Sequence, residues 1–164
     1  MFVTLGAVAQ NSELEIIRAA FQGIRSEEDI EKILSFEVQE SKAEEVNIIM
    51  AYKGAGECMM AEYVFSPISK LKYFNSGKKN LEAAIAENKQ VENIYLRLMI
   101  QLNVPKMLNY HDQVEGDIDF LEDRLPASTI DPAYKRVMME NLLQVAKKKE
   151  QREALLQIKQ AAAS

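Results

Sequence analysis

Apolar side chains recur at intervals of three and four residues along nearly the whole 164-residue chain, and no stretch shows the alternation typical of a strand. The segment from Val91 to Asn103 is apolar on most sides, which is typical of a helix flanked by neighbours. Because the connections between helices are short, successive helices must reverse direction and pack side by side. The sequence therefore predicts an all-α domain of about seven helices, built from antiparallel helical hairpins.

Capping signals predict where several helices begin, because Ser and Asp accept hydrogen bonds from the first free N–H groups and Pro suits the first helical position. The signals are Ser26 with Asp29, Ser41 with Glu44, Ser66-Pro67 and Asp131-Pro132. They predict long helices over 41–63 and 67–87. The signal at Ser26 predicts a shorter helix that carries Ile30, Ile33, Leu34 and Val38. A further apolar stripe predicts a helix from Met107 to Leu125.

The apolar pattern also divides the chain into three parts. Residues 11–147 form the predicted helical-hairpin domain, and residues 148–164 form a tail that is helical or frayed. Residues 1–10 are almost wholly apolar and end in Ala7-Val8-Ala9, similar to the end of a secretory signal. This segment is either a signal-peptide remnant, which favours an exported or periplasmic protein, or an apolar segment that packs on the core, which is compatible with the cytoplasm.

Charge and composition narrow the classes of partner. The formal net charge of −5 opposes binding to nucleic acid, and no aromatic side chains interleave with the lysines. No segment approaches the ~20 apolar residues that a membrane span requires. Cys58 is the only cysteine, which excludes an intrachain disulfide and cysteine-based zinc sites. The sequence predicts a protein or peptide partner and no cofactor, with self-association through the apolar residues of the tail as a further interaction.

Two units of the chain resemble tetratricopeptide repeats, in which a helix, a tight turn and a second helix repeat along an array. The likeness lies in Phe74-x-x-Gly77 with Leu81 and Ala84-Ile85, followed by Tyr95-Leu96 in the next helix. The chain has no Trp and no Pro in the turn after Glu87, and its first unit is longer than the usual repeat. The resemblance implies hairpins stacked in a right-handed array.

A second resemblance extends from Ala51 to Phe120. Its motifs are Ala51-Tyr52-Lys53-Gly54-Ala55, Ser66-Pro67 with Lys70-Leu71, Phe74-Asn75-Ser76-Gly77-Lys78-Lys79, and the run from Leu96 to Pro105. These segments are similar to an uncharacterised family of small helical proteins from Bacteroidetes, often made with signal peptides. The resemblance implies export and carries no expectation about chemistry.

Polar residues interrupt the apolar faces of two predicted helices. Asn93, Arg97 and Gln101 are spaced at i, i+4 and i+8 on the central helix 91–103, and Lys78 lies between the apolar Phe74 and Leu81. A buried cation is costly unless it is paired, so each must have a carboxylate partner, extend to solvent or face a wet groove. In helical repeats the first helices of successive units line a concave groove.

Two interpretations of this stripe stay open. A groove lined by helix 91–103 would bind a partner through five side chains, namely Tyr52, Lys78, Asn93, Arg97 and Gln101. Alternatively, Arg97 forms an internal ion pair with one of three carboxylates, namely Glu57, Glu82 or Asp117.

His111 is the only histidine, and it carries the single weak signal for a metal ion. Glu115 and Asp119 follow it at i+4 and i+8, so the three side chains would share one face of the predicted helix 107–125. A divalent ion usually needs ligands from a second element, and acidic stripes are common on outer helix faces. A half-buried histidine bonded to a carboxylate is the alternative.

The glycines do not form phosphate-binding loops. Gly54-Ala55-Gly56 lacks the third glycine of a dinucleotide turn, and Gly77-Lys78-Lys79 has no Ser or Thr after the lysine. Both segments instead favour close packing between helices, because glycine lets two backbones approach.

Three functional hypotheses follow from the sequence. The first is a non-enzymatic protein or peptide interaction module, or scaffold, with a groove on helix 91–103. The second is a small metal-binding protein or enzyme centred on His111 and its neighbouring carboxylates. The third is a purely structural domain.

Overall fold

A computed structural model of the chain describes residues 12–163, which form eight α-helices and one short 3-10 turn, with no strand among them. The all-α prediction is therefore confirmed. The helices are α1 (Glu13–Gln22), α2 (Glu27–Leu34), α3 (Ala43–Tyr63), α4 (Pro67–Glu87), α5 (Val91–Asn103), α6 (Val114–Arg124), α7 (Pro132–Val145) and α8 (Lys149–Ala161), with the 3-10 turn at Lys106–Leu108. The N-terminal segment 1–10, with its two interpretations, lies outside the described residues.

Side chains cap three of the predicted helix starts. The Ser26 hydroxyl accepts a hydrogen bond from the Asp29 N–H at 3.3 Å, and Ser66 caps α4 with Pro67 in its first turn. Asp131 accepts hydrogen bonds from two N–H groups in the first turn of α7. Each cap satisfies backbone donors that would otherwise have no partner in the helix.

The predicted capping box at Ser41 is wrong. Lys42 precedes the first residue of α3 without a side-chain cap, while the Ser41 hydroxyl donates to Oε2 of Glu13 at 2.5 Å. The same carboxylate accepts hydrogen bonds from the N–H groups of Gln39, Glu40 and Ser41. Glu13 thus holds the connection between α2 and α3 against the start of α1.

Helices α3 and α4 form a close antiparallel hairpin, and glycine permits its spacing. A Cβ atom added to Gly77 would lie 2.5 Å from the backbone N of Cys58 and 2.5 Å from the Gly54 carbonyl oxygen. A Cβ atom on Gly54 would lie 2.7 Å from the backbone N of Leu81. The prediction that these two glycines serve helix packing is confirmed.

Helices α3 and α5 lie at the centre of the fold. α3 packs against α1, α2, α4 and α5, while α5 packs against α3, α4, α6 and α7. The core fills the space between them with fully buried side chains from most helices, including Ile17, Ile30, Ile49, Leu81, Leu96, Leu121 and Met138. α4 packs only against α3 and α5 among the described elements, so it lies at an edge of the bundle.

Two helix boundaries differ from the prediction. α2 ends at Leu34, and Val38 lies in the following loop, where it packs against the core while partly buried. The helix predicted from Met107 begins only at Val114. Pro105 starts a separate 3-10 turn there, and Asn109 ends that turn in the left-handed conformation, with φ of 47°.

The C-terminal tail folds back on the domain. α7 ends at Val145, and α8 packs against α6 and α7 with Leu155 and Ile158 buried. The guanidinium of Arg152 donates to backbone carbonyls at the end of α7, so the turn between the two helices is closed by hydrogen bonds. The apolar residues on which predicted self-association rested are therefore used inside the chain, except Leu156, which stays exposed.

The right-handed stacking implied by the tetratricopeptide resemblance stays a prediction. The helices and hairpin connections that the resemblance also implies agree with the observed all-α fold. No helix between residues 12 and 163 has the length and apolar composition needed to cross a membrane.

Candidate functional site

Arg97 forms an internal ion-pair network. Its Nε and Nη2 atoms donate to the two carboxylate oxygens of Asp117 at 2.8 and 2.6 Å, and Nη1 donates to Glu82 at 2.8 Å. The Tyr110 hydroxyl donates to the other Glu82 oxygen at 2.6 Å. Burial alone would lower the pKa of Arg97, but the hydrogen bonds and the charges of Asp117 and Glu82 raise it. Arg97 thereby connects α5 to α4 and α6.

Tyr52 belongs to a second buried network on the opposite side of α5. Its hydroxyl donates to Oε2 of Glu92 at 2.8 Å and also contacts the hydroxyl of Tyr134. Arg18 donates to both oxygens of Glu92 and lies over the Tyr134 ring, 4.7 Å from its centroid. Burial, together with the negative charge of Glu92, raises the pKa of Tyr52 well above its ordinary value. The network connects α1, α3, α5 and α7.

Asn93 and Gln101 are also internal. The Asn93 side-chain amide donates to Oδ1 of Asn47 at 2.7 Å and to the Asn88 carbonyl at 3.0 Å. Gln101 is fully buried, and neither its side-chain oxygen nor its nitrogen has a hydrogen-bond partner among residues 12–163. A partner would reach Tyr52, Asn93 or Gln101 only if neighbouring helices moved apart, because none of the three has exposed surface.

The predicted groove along helix 91–103 is therefore not an open surface. α5 is covered by α3, α4, α6 and α7, and this explains why it is apolar on most sides. Arg97 satisfies the alternative interpretation, an internal pair with Glu82 and Asp117. The polar stripe on α5 links helices within the fold.

Lys78 is half-buried at the edge of the bundle. Its Nζ lies 4.5 Å from the centroid of the Tyr110 ring, and the same ring packs edge-on against Phe74 at 5.9 Å between centroids. The cation and ring attract each other electrostatically, which accounts for a lysine between two apolar positions of α4.

The three residues considered for a metal ion do not share a helix face. His111 lies in the turn before α6, whereas Glu115 and Asp119 lie within α6 and are exposed. Nε2 of His111 lies 3.2 Å from the Val104 carbonyl oxygen. Residues 12–163 contain no cluster of three His, Cys, Asp or Glu side chains arranged to hold a metal ion.

The most exposed large apolar side chains lie around the turn that joins α3 to α4. Phe65 is 100% exposed and Ile68 is 82% exposed, while Met107 in the 3-10 turn after α5 is 88% exposed. Tyr63 at the end of α3 and Leu71 on α4 are exposed to a smaller extent. Isolated exposed apolar residues are ordinary, but a cluster of this kind is typical of an interaction surface.

Three connections of the chain lie together at this end of the bundle. Nδ2 of Asn103, the last residue of α5, donates to Oε1 of Glu62 near the end of α3 at 3.0 Å. A cavity of about 1010 Å³ is lined by Asn103 and His111 from the connection between α5 and α6, and by Lys147 from the connection between α7 and α8. We call residues 62–72, 103–115 and 146–152 the lysine-rich end.

The two ends of the bundle carry opposite charge. At the lysine-rich end, cations outnumber carboxylates; the cations are Lys70, Lys72, Lys106, Lys147, Lys148, Lys149 and Arg152, and the carboxylates are Glu62, Asp112, Glu115 and Glu150. The segments at the opposite end, 40–45, 87–92 and 122–131, line a second cavity of about 730 Å³. Their carboxylates are Glu40, Glu44, Glu45, Glu87, Glu92, Glu122, Asp123 and Asp131, against the cations Lys42, Lys89 and Arg124. The lysine-rich end is therefore basic, although the chain as a whole carries a net negative charge.

The chain matches no protein-family model, no curated protein and no solved structure. Two signals in the sequence point to the lysine-rich end. Phe65 is a large aromatic residue directly before a Ser-Pro helix start, and no carboxylate occurs between Tyr63 and Leu81, where there are four lysines.

Proposed function

We propose that the chain is a non-enzymatic interaction module that binds a protein or peptide partner at its lysine-rich end. The observation that carries this proposal is the full exposure of Phe65, beside the exposed Ile68, at the turn between the two longest helices. Burying one such side chain stabilises a complex by roughly 1.5–3 kcal/mol. Selection for solubility opposes clusters of exposed apolar side chains, so a cluster of them favours a binding role.

The rigidity of the hairpin also supports a binding role. Nζ of Lys70 donates to the Ala61 carbonyl at 3.1 Å and so satisfies a free acceptor at the end of α3. Gly54 and Gly77 let the backbones of α3 and α4 approach closely where the two helices cross. A partner that binds Phe65 and Ile68 would therefore meet side chains on a preformed turn, and little conformational entropy would be lost on binding.

The proposal can be tested by selecting binding peptides from a displayed random library on the immobilised full chain. Two double variants separate the turn from other exposed apolar residues. Phe65→Ser with Ile68→Ser removes the proposed anchors, whereas Ile16→Ser with Met50→Ser removes two apolar residues elsewhere that are 44% and 45% exposed. We expect enriched peptides to bind the first variant at least about tenfold more weakly than the unmodified chain. The second variant should bind them as the unmodified chain does.

Circular dichroism of each variant establishes that its helices and thermal midpoint are retained. The proposal is overturned if no peptide is enriched above the uncoated support, which would favour a purely structural role. It is also overturned if the enriched peptides bind the Phe65→Ser, Ile68→Ser variant as tightly as the unmodified chain.

A further inference from the structure

α4 presents an unpartnered outer face to solvent. Among the helices it packs against α3 and α5 only, and Tyr110 from the connection between α5 and α6 contacts Phe74 and Lys78. The buried residues of α4 include Phe74, Leu81 and Ile85. Because a helix turns by about 100° per residue, Ile68, Lys72, Asn75 and Lys79 follow one another down a different face. All four side chains are exposed, so this stripe is open for contact from the side. We call it the outer stripe of α4.

From Pro67 to Leu81, the charge along α4 has a single sign. Lys70, Lys72, Lys78 and Lys79 are its four lysines, and none of them forms an ion pair with the described residues. The first carboxylate of α4 is Glu82, which is bound by Arg97 and Tyr110. Glu57 of the neighbouring α3 accepts hydrogen bonds from Ser76 and Asn80 of α4. Its carboxylate is therefore bound by these two side chains and not by a lysine of α4.

The stripe is apolar near the turn and basic further along α4, and a helical partner can match this arrangement. Ile68 and the neighbouring Leu71 lie in the first turn and a half of α4, shortly after Phe65 in the chain, while Lys72 and Lys79 lie further along the stripe and are exposed. The distance along the axis from Ile68 to Lys79 is about 16 Å, or about three helical turns. A partner helix of similar length could contact both the apolar and the basic groups at once.

We infer that the segment bound at the lysine-rich end is an acidic amphipathic helix that lies along the outer stripe of α4. This inference rests on the proposed function and adds the chemistry of the partner. The apolar face of the segment covers Phe65, Ile68 and Leu71, and its carboxylates pair with Lys72 and Lys79. The complementary charges attract the partner and fix its orientation.

An anionic membrane is the competing partner class, and geometry separates the two. A flat surface that meets the exposed turn at Phe65 also meets the lysines of the other two connections, Lys106, Lys147 and Lys148. Lys79 lies about 16 Å further along α4 than Ile68, away from such a surface. A side-lying helix therefore depends on Lys79, whereas a membrane depends on Lys147 and Lys148.

The test uses the full chain and two synthetic peptides of about 18 residues, enough for about five helical turns. Both carry the same leucine stripe; one has glutamates on its polar face and the other has lysines. Fluorescence anisotropy measures the Kd of each. We expect the glutamate peptide to bind at least about tenfold more tightly than the lysine peptide, and to weaken as salt is raised.

Matched charge reversals locate the contact. In the Lys72→Glu, Lys79→Glu variant, the Kd for the glutamate peptide should rise by about tenfold or more. In the Lys147→Glu, Lys148→Glu variant, this Kd should stay within about twofold of that of the unmodified chain. The same variants are tested against phosphatidylcholine vesicles with and without phosphatidylserine. Binding only to phosphatidylserine vesicles, lost with the Lys147 and Lys148 reversals, would overturn the inference in favour of a membrane.

The outcomes also separate the inference from the proposed function. If both peptides bind the unmodified chain equally and neither binds the Phe65→Ser, Ile68→Ser variant, the lysine-rich end binds apolar segments without regard to charge. The inference then fails and the proposed function stands. If neither peptide binds and the library selection enriches nothing, both fail.

Discussion

Arg97 and Asp117 face each other as a bidentate pair, with two nitrogens of the guanidinium within 2.8 Å of the two carboxylate oxygens. The Asp117 side chain is 2% exposed and that of Arg97 is 8% exposed. Two charges have therefore been removed from water, and each satisfies the other by hydrogen bonds. An arrangement of this kind costs little while it is intact and a great deal once one partner is lost, because the remaining charge is then buried alone.

Arg97→Ala should therefore lower the free energy of unfolding by about 3–5 kcal/mol, as measured by urea denaturation. A residue that only contacted a partner in an open groove would leave stability nearly unchanged. Lys32→Ala is the matched control, since Lys32 pairs with Glu28 on the surface and both side chains are mostly exposed. It should change stability by no more than about 0.5 kcal/mol. Similar losses for the two variants would contradict the internal role of Arg97.

Two glycines in helices should respond to alanine in opposite directions. Gly77→Ala places a Cβ atom 2.5 Å from backbone atoms of α3, so α3 and α4 must move apart. We expect a net loss of about 1–3 kcal/mol in the free energy of unfolding. Gly116→Ala on α6 meets nothing within 4 Å and should instead stabilise the protein by about 0.5–1 kcal/mol. Denaturation curves that moved in the same direction for both variants would contradict the close contact at Gly77.

The helix positions were largely accessible from the sequence. The bounds of α4 and α5 agree with the predicted ones, because Ser66-Pro67 fixes the start of α4 and a short polar turn separates the two helices. The capping box predicted at Ser41 was wrong because the Ser41 hydroxyl binds Glu13. Glu13 lies 28 positions away, and no local motif can reveal such a contact. Capping motifs thus predicted helix starts correctly where the capping side chain bonds to its own helix. They failed where a residue distant in the sequence binds the capping side chain instead.

The candidate site was less accessible because periodicity does not say which face of a helix is covered. Ile68 and Leu71 share the helical spacing of Phe74 and Leu81, and this pattern predicts one inner stripe, yet only Phe74 and Leu81 are buried. α4 lies at an edge, so its second apolar face has no neighbour among the described elements. The stripe on α5 indicated correctly that Arg97 needed a partner, but spacing alone left three carboxylates to choose from.

Cys58 should be unreactive in the folded protein. Burial, reinforced by the nearby charge of Glu57, raises the pKa of its thiol to about 12, and Sγ is within 3.7 Å of the Phe74 carbonyl oxygen. At about pH 8 the thiolate fraction is then lower by roughly a thousandfold than for a free cysteine with a pKa near 8.5. Labelling with Ellman's reagent should be slow in buffer. In denaturant labelling should be fast, with one equivalent of thionitrobenzoate released per chain. Fast labelling in buffer would contradict the burial of Cys58.

Glu13 should contribute to the acid sensitivity of the fold. The hydrogen bond from the Ser41 hydroxyl, followed by those from the Gln39, Glu40 and Ser41 N–H groups, lowers the pKa of this carboxyl below its ordinary value. A lowered pKa means that the ionised form stabilises the folded state. This contribution is present above the pKa of an unfolded glutamate, about 4.3, and is lost as the pH falls through the lowered value.

Glu13→Gln should therefore lower the thermal midpoint at about pH 7, while the difference from the unmodified chain should shrink as the pH falls towards about 2. The glutamine keeps the size of the side chain but carries no charge, so it cannot reproduce the charge-assisted bonds to three backbone N–H groups. Glu31→Gln on the exposed face of α2 is the control, and its midpoint should follow that of the unmodified chain at every pH. A constant difference for Glu13→Gln across the whole range would mean that Glu13 fixes the connection between α2 and α3 by its shape, with no contribution from its charge.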